Sequence, residues 1–116
     1  MMAPYLYDPS TLPTRIEEDL AASLRTPLQR KSYVAQLLGI VSWAGSHSRL
    51  SRLDAPVLII HGESDQLIPP ENGRVLARVT ANARVVMIPR AGHRFMTDQP
   101  EAANEAILSF LNNAMS

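Results

Sequence analysis

The chain of 116 residues contains no cysteine, which excludes a disulfide framework, a thiolate nucleophile and a thiolate metal site. It has no excess of either charge: 11 Lys and Arg balance 11 Asp and Glu, so the totals point to neither nucleic acid, an acidic ligand nor an anionic membrane surface. No apolar run approaches the length of a membrane span, and the opening MMAPYLYDPS has neither a basic start nor an apolar stretch of signal length. A soluble, cytoplasmic protein is the expectation. Internal repeats, low-complexity tracts and blocks of like charge are also missing. What remains is a chain 46% hydrophobic and punctuated by 9 prolines, which reads as one domain at most. For its mass, area scaling gives about 6,300 Å² of folded surface against about 18,500 Å² unfolded, so length alone permits a core.

The first half reads as helical. Pro4, Pro9 and Pro13 make residues 1–13 an irregular lead-in. Thr14 followed by Glu17 is a capping-box pattern, and Ile16, Leu20 and Leu24 recur every four residues, predicting an amphipathic helix over 14–25. Thr26-Pro27 has the residue types that start a second helix, with Leu28, Tyr33, Leu37 and Val41 as a loose apolar face and Gly39 as its weak point. Residues 42–54, SWAGSHSRLSRLD, read as a polar connection.

The second half changes rhythm. PVLII at 56–60 is a strand whose unbroken apolarity implies burial on both faces, as in a parallel sheet. Residues 71–80 read as a helix through Val75, Leu76 and Val79, and ARVVMI at 83–88 as the next strand. Together they form a right-handed strand–helix–strand crossover. Residues 89–98 leave the second strand as a loop. A last helix begins near Pro100, with Asp98 and Glu101 as a second capping pair and Ala103, Ile107, Phe110, Leu111 and Ala114 as its apolar stripe.

In open parallel sheets, ligands sit beyond the carboxyl ends of the strands. Two such ends carry Asp65, in HGESD, and His93, in AGH. One crossover unit separates them (93 − 65 = 28 residues), so the two side chains can meet. An Asp beside a His fixes the imidazole tautomer and stabilises the imidazolium, which makes the pair the base half of a nucleophilic relay.

The segments LDAPVLIIHGESDQLIPP, ARVVMIPRAGH and DQPEAANEAILSFL, in that order and spacing, resemble the carboxyl-terminal third of the α/β-hydrolase superfamily, particularly its esterase and lactonase branches. The likeness covers residues 50–112. It implies that Asp65 stands at the family's acid position and His93 at its histidine position, that residues 50–116 are the carboxyl-terminal part of the hydrolase core, and that residues 1–49 are the end of the cap region with its connecting helix. The fold it implies is α/β: two parallel strands with a crossover helix and a carboxyl-terminal helix, preceded by cap-derived helices. The substrate it implies is a small-molecule carboxylic ester or lactone, with no cofactor. The family's nucleophile lies in G-x-S-x-G, upstream of the acid and histidine, on a turn between strand and helix. This chain has no such motif. AGSHS at 44–48 lacks the second glycine and the flanking elements, and Ser46 and Ser48 read as linker residues.

Energetics point the same way. Burying Ile107, Phe110 and Leu111 contributes roughly 5–9 kcal/mol, whereas fixing the backbone of about 14 helical residues costs on the order of 14–28 kcal/mol before hydrogen bonds and other contacts are counted. Two parallel strands also leave two open edges. The expectation is a fragment or half-molecule that pairs with a second copy, as a homo-oligomer, or with a missing amino-terminal half. A non-catalytic binding or assembly module on the same scaffold and a truncated reading frame are the alternatives. Asp65 alone would read as a turn cap, and His93 alone as a solvated loop residue. His61 reads as structural, before the glycine turn. A metal site from His61, Glu63, Asp65 and His93 has suitable ligand types but matches no zinc spacing. Met87 and Met96 read as packing residues.

Overall fold

The computed structural model describes residues 3–114. A one-turn helix α1 (Ala3–Leu6) precedes α2 (Pro13–Leu24) and α3 (Arg30–Ser42). After a short turn α4 (His47–Leu50) comes the α/β unit: β1 (Val57–Gly62), α5 (Glu71–Val79) and β2 (Ala83–Ile88). The turn α6 (Phe95–Asp98) leads into α7 (Pro100–Ala114). The sheet has two strands, β1 and β2, paired in parallel from Val57↔Ala83 to Gly62↔Ile88. This is part of an α/β-hydrolase fold, with the crossover helix and final helix in the order expected.

Alternation along the strands decides which helix covers which face. Ile60, Val86 and Ile88 point to α7, where Ala102 and Ala103 meet them and Phe95 and Ala91 complete a small core. The alternate residue His61 points to α5, whose backbone it touches at Gly73. Small residues on both helices allow this close approach, while larger side chains at the edges stay uncovered. Ile107 and Leu111, expected in the buried stripe of α7, are 40% and 46% exposed, and no residue of β1 before Gly62 is fully buried. Strands expected to be covered on both faces are therefore only half-covered, because neither has a second neighbour. The accessible surface is 8593 Å², well above the roughly 6,300 Å² of a compact chain of this mass. The radius of gyration is 16.1 Å, against about 13 Å for a compact chain of this length.

Several local expectations are corrected. Helix α2 starts at Pro13 with Leu12 as its cap and no side-chain cap hydrogen bond, because proline supplies the helical φ at its first position. Thr14 thus lies inside the first turn and Glu17 beyond it. Helix α3 starts at Arg30 rather than Thr26-Pro27, after the extended residue Gln29; its apolar residues are all exposed, so no packing draws the start back toward the proline. The connection 42–54 and the loop 89–98 each contain one helical turn, α4 and α6.

The lead-in is not loose. Tyr7 and Asp8 are buried, and Arg94 N–H donates to the Leu6 carbonyl at 2.8 Å. Asp98, expected as a helix cap, instead accepts from Asp8 N–H at 2.9 Å, Gly92 N–H at 2.6 Å and the Thr11 hydroxyl at 2.7 Å. It is 3% exposed. Two donors from the distant lead-in and one from its own loop occupy its carboxylate and remove it from capping duty. The approach they hold needs glycine: a Cβ on Gly92 would lie 2.9 Å from the Tyr7 carbonyl carbon and 3.0 Å from the Leu6 oxygen.

Candidate active site

Asp65 and His93 both stand just beyond the carboxyl ends of the paired strands. The loop after β1 is tied to the end of β2 by Glu63 N–H to the Ile88 carbonyl at 2.9 Å and to the loop after β2 by Ser64 N–H to the Ala91 carbonyl at 2.8 Å. Gly62 makes the crossing possible. A Cβ there would fall 2.2 Å from the Gly92 oxygen and 2.3 Å from the Ala91 oxygen, closer than any side chain tolerates. Glycine at the last position of β1 is thus a steric requirement of the site.

The loops bring His93 Nδ1 to 3.1 Å from Asp65 Oδ2. The Asp65 side chain is 4% exposed and that of His93 is 35% exposed, so the acid is enclosed and the imidazole edge is open. Asp65 Oδ1 accepts from Leu67 N–H and Ile68 N–H, each at 2.9 Å. Burial alone would push the Asp65 carboxyl up. The Ile68 N–H, the His93 ring, the Leu67 N–H and the charge His93 can carry outweigh it and hold the carboxyl below the ordinary 3.8. An ionised carboxylate beside Nδ1 selects the tautomer with hydrogen on Nδ1 and leaves Nε2 as the accepting nitrogen.

Sequence reasoning took one neighbour, His61, as structural and passed over another, Arg94. His61 Nε2 lies 3.2 Å from Asp65 Oδ2 and 3.0 Å from the Ile68 carbonyl oxygen; period-two alternation placed it on the face toward α5, but only the turn at 65–68 brings the acid back to it. Arg94, beside His93, pairs with Asp19 of α2 and lies 6.0 Å from the centre of the Tyr7 ring, while the Tyr7 hydroxyl donates to Asp19 at 2.6 Å. The Tyr7 phenol is pushed up by its burial and by that bond, and Arg94 and Tyr7 hold the Asp19 carboxyl down against burial. No local pattern in the sequence signals contacts across 75 residues. Glu63 is exposed, and among the described residues no group of three or more His, Asp or Glu side chains has metal-holding geometry. Ser46 caps α4 through its carbonyl, with Arg49 N–H donating to it at 2.9 Å, remote in sequence from any strand end. No described helix is long and apolar enough to cross a membrane.

A parallel strand pair with a crossover helix and a following helix is part of an α/β-hydrolase fold, and comparison with known proteins agrees. The chain belongs to the α/β-hydrolase superfamily: residues 41–115 match its TAP-like protein family. The bifunctional esterase/perhydrolase DCH of Acinetobacter calcoaceticus is 32% identical over 78 residues, covering 65% of this chain and 28% of that protein. Among solved structures, a thermophilic esterase from Thermogutta terrifontis superposes with a TM-score of 0.65 at 33% identity, over 68% of this chain and 29% of its own. The 2-hydroxy-6-oxo-6-phenylhexa-2,4-dienoate hydrolase of Rhodococcus sp. strain RHA1 shares the fold over 96% of this chain, with a TM-score of 0.68 at 22% identity, and this match covers 42% of it. The chain thus spans less than half the length of these relatives.

Proposed function

We propose that the chain supplies the acid and the general base of a serine-type α/β hydrolase acting on carboxylic esters or lactones, with the nucleophile on a segment outside these 116 residues. One observation carries the reading: the enclosed, ionised Asp65 holds Nδ1 of a half-open His93 at 3.1 Å, at the strand ends where the superfamily resemblance sets its acid and histidine. In the complete site, a serine hydroxyl attacks the carbonyl carbon while His93 Nε2 takes its proton. The same nitrogen returns the proton to the leaving alkoxide, and water then repeats the sequence on the acyl-enzyme. Asp65 keeps the ring in the Nδ1–H tautomer and stabilises the imidazolium in both steps. Residues 1–49 are the end of the cap, and its tie to the Arg94 flank of His93 sets the wall of the substrate pocket.

The uncovered faces support a completing segment. The open strand edges and the exposed Ile107, Leu108 and Leu111 of α7 are the surfaces that further strands and helices of a core would cover. The non-catalytic alternative is not favoured by a carboxylate held ionised by three donors at a site of this geometry.

The test is to join the chain behind an amino-terminal hydrolase segment that carries a G-x-S-x-G turn and to assay short-chain p-nitrophenyl esters. The free chain is expected to give no turnover above background, and the joined protein to hydrolyse the ester. His93→Ala and Asp65→Asn should each then lower kcat by about 10⁴-fold or more. Turnover by the joined protein that survives His93→Ala would overturn the assignment.

A further inference from the structure

The relay reading leaves His61 without a role, yet its surroundings are more specific than packing requires. Its Nε2 faces two oxygens, the Ile68 carbonyl at 3.0 Å and Asp65 Oδ2 at 3.2 Å. A carbonyl oxygen and an ionised carboxylate only accept, so Nε2 must carry hydrogen. In the neutral ring Nδ1 is then bare. The back of the ring is closed by α5: a Cβ on Gly73 would stand 3.0 Å from His61 Nδ1, 3.1 Å from its Cβ and 3.3 Å from its Cγ. The side chain is 13% exposed. Between the helix backbone behind it and two acceptors in front, the ring has little freedom to turn.

We infer that His61 is a positioning residue for the acid: its Nε2–H donates to the Ile68 carbonyl and so pins the 65–68 turn that aims Asp65 Oδ2 at His93. The inference rests on the reading of Asp65 and His93 as a relay. The two carboxylate oxygens divide the work. Oδ1 takes the Leu67 and Ile68 N–H groups at 2.9 Å, and Oδ2 stands between His61 Nε2 at 3.2 Å and His93 Nδ1 at 3.1 Å. Rotation of the carboxylate therefore breaks hydrogen bonds at both oxygens. Removing the His61 ring frees one side of Oδ2 and releases the Ile68 carbonyl from its side-chain donor, so the turn that supplies both N–H groups to Oδ1 loosens as well. The effect reaches His93 although His61 never touches it.

Nitrogen-15 NMR of the histidines in the full chain tests this without reference to turnover. At neutral pH the unsubstituted chain should show His61 as the Nε2–H tautomer and His93 as the Nδ1–H tautomer, with a low-field His93 proton. In His61→Ala that proton should broaden into solvent exchange as the ring loses a well-aimed partner. His61→Gln should restore the signal, since its amide N–H₂ can donate to the same acceptors. Gly73→Ala, which presses on the ring and removes no donor, should reproduce a milder form of the loss. An Nδ1–H tautomer for His61, or a His93 signal unchanged in His61→Ala, would overturn the inference. Asp65→Asn separates the two levels. If it leaves His93 unchanged, the relay reading itself fails; if it moves His93 and His61→Ala does not, only the role of His61 fails.

Discussion

Two regions of this chain solve opposite problems. At the strand ends, residues 6–8, 61–68 and 90–98 enclose three carboxylates, Asp8, Asp65 and Asp98, and every buried side-chain polar atom among the described residues has a partner. In α3 no residue is buried; Ile40 and Val41 are 71% and 78% exposed, and Trp43, which caps the helix, is 64% exposed. The polar end is the finished part and the apolar helix the unfinished one, the reverse of what hydrophobicity alone would arrange. The contrast shows where each part finds its partners. The strand-end network closes on itself through backbone N–H groups and short side chains, whereas α3 and the outer stripe of α7 present apolar surface that none of the described residues covers.

The comparison breaks most readily at the glycines. Gly62→Ala places a methyl 2.2 Å from the Gly92 oxygen, and backbone on both sides cannot yield, so a loss of about 3 kcal/mol or more is expected in urea unfolding. Asp98→Ala should cost about 2–3 kcal/mol, because it leaves the buried N–H groups of Asp8 and Gly92 without acceptors. Asp98→Asn should cost less than about 1 kcal/mol, since one amide oxygen can take both N–H groups while the amide nitrogen donates to Thr11. If the alanine and asparagine variants unfold alike, the network is not what holds the lead-in.

Acid sharpens the same point. The carboxyls of Asp8, Asp19 and Asp65 all lie below the ordinary 3.8, so each contributes stability that is fully present above the unfolded value and is lost as pH falls through the folded one. Urea midpoints should be flat from about pH 6 to about pH 5 and fall below about pH 4; a midpoint that rises on acidification would contradict the assignment. The smallest effect is expected in α3. Leu38→Gln with Val41→Gln should change the unfolding free energy of the chain by no more than about 0.5 kcal/mol, while reducing self-association in sedimentation. A large loss of stability would mean that α3 is packed after all.

How much of this was legible in the sequence depends on the range of each interaction. The crossover unit was readable because β1, α5 and β2 each carry a local pattern: Ala83–Ile88 spans the residues expected, and α5 and β1 shift by one or two. Asp65 and His93 were readable as neighbours because strand polarity fixes both at one end. The role of Asp98 was not, since a capping pair and a keystone for segments 90 residues away look identical in a string of letters. The placement of Tyr7 against Arg94 and of His61 against Asp65 likewise depends on turns that bring remote residues together. The capping pattern at Thr14 and Glu17 failed for a local reason: Pro13 had already set the start of the helix.

The most direct test of the proposed division of labour is the mass and composition of the native particle that carries residues 50–116 in its own cell, measured by native mass spectrometry and peptide sequencing. The account predicts a particle heavier than the 12.8 kDa of this chain that also contains a G-x-S-x-G segment, joined covalently or bound. A stable 12.8 kDa monomer, or a homo-oligomer without that segment, would contradict it.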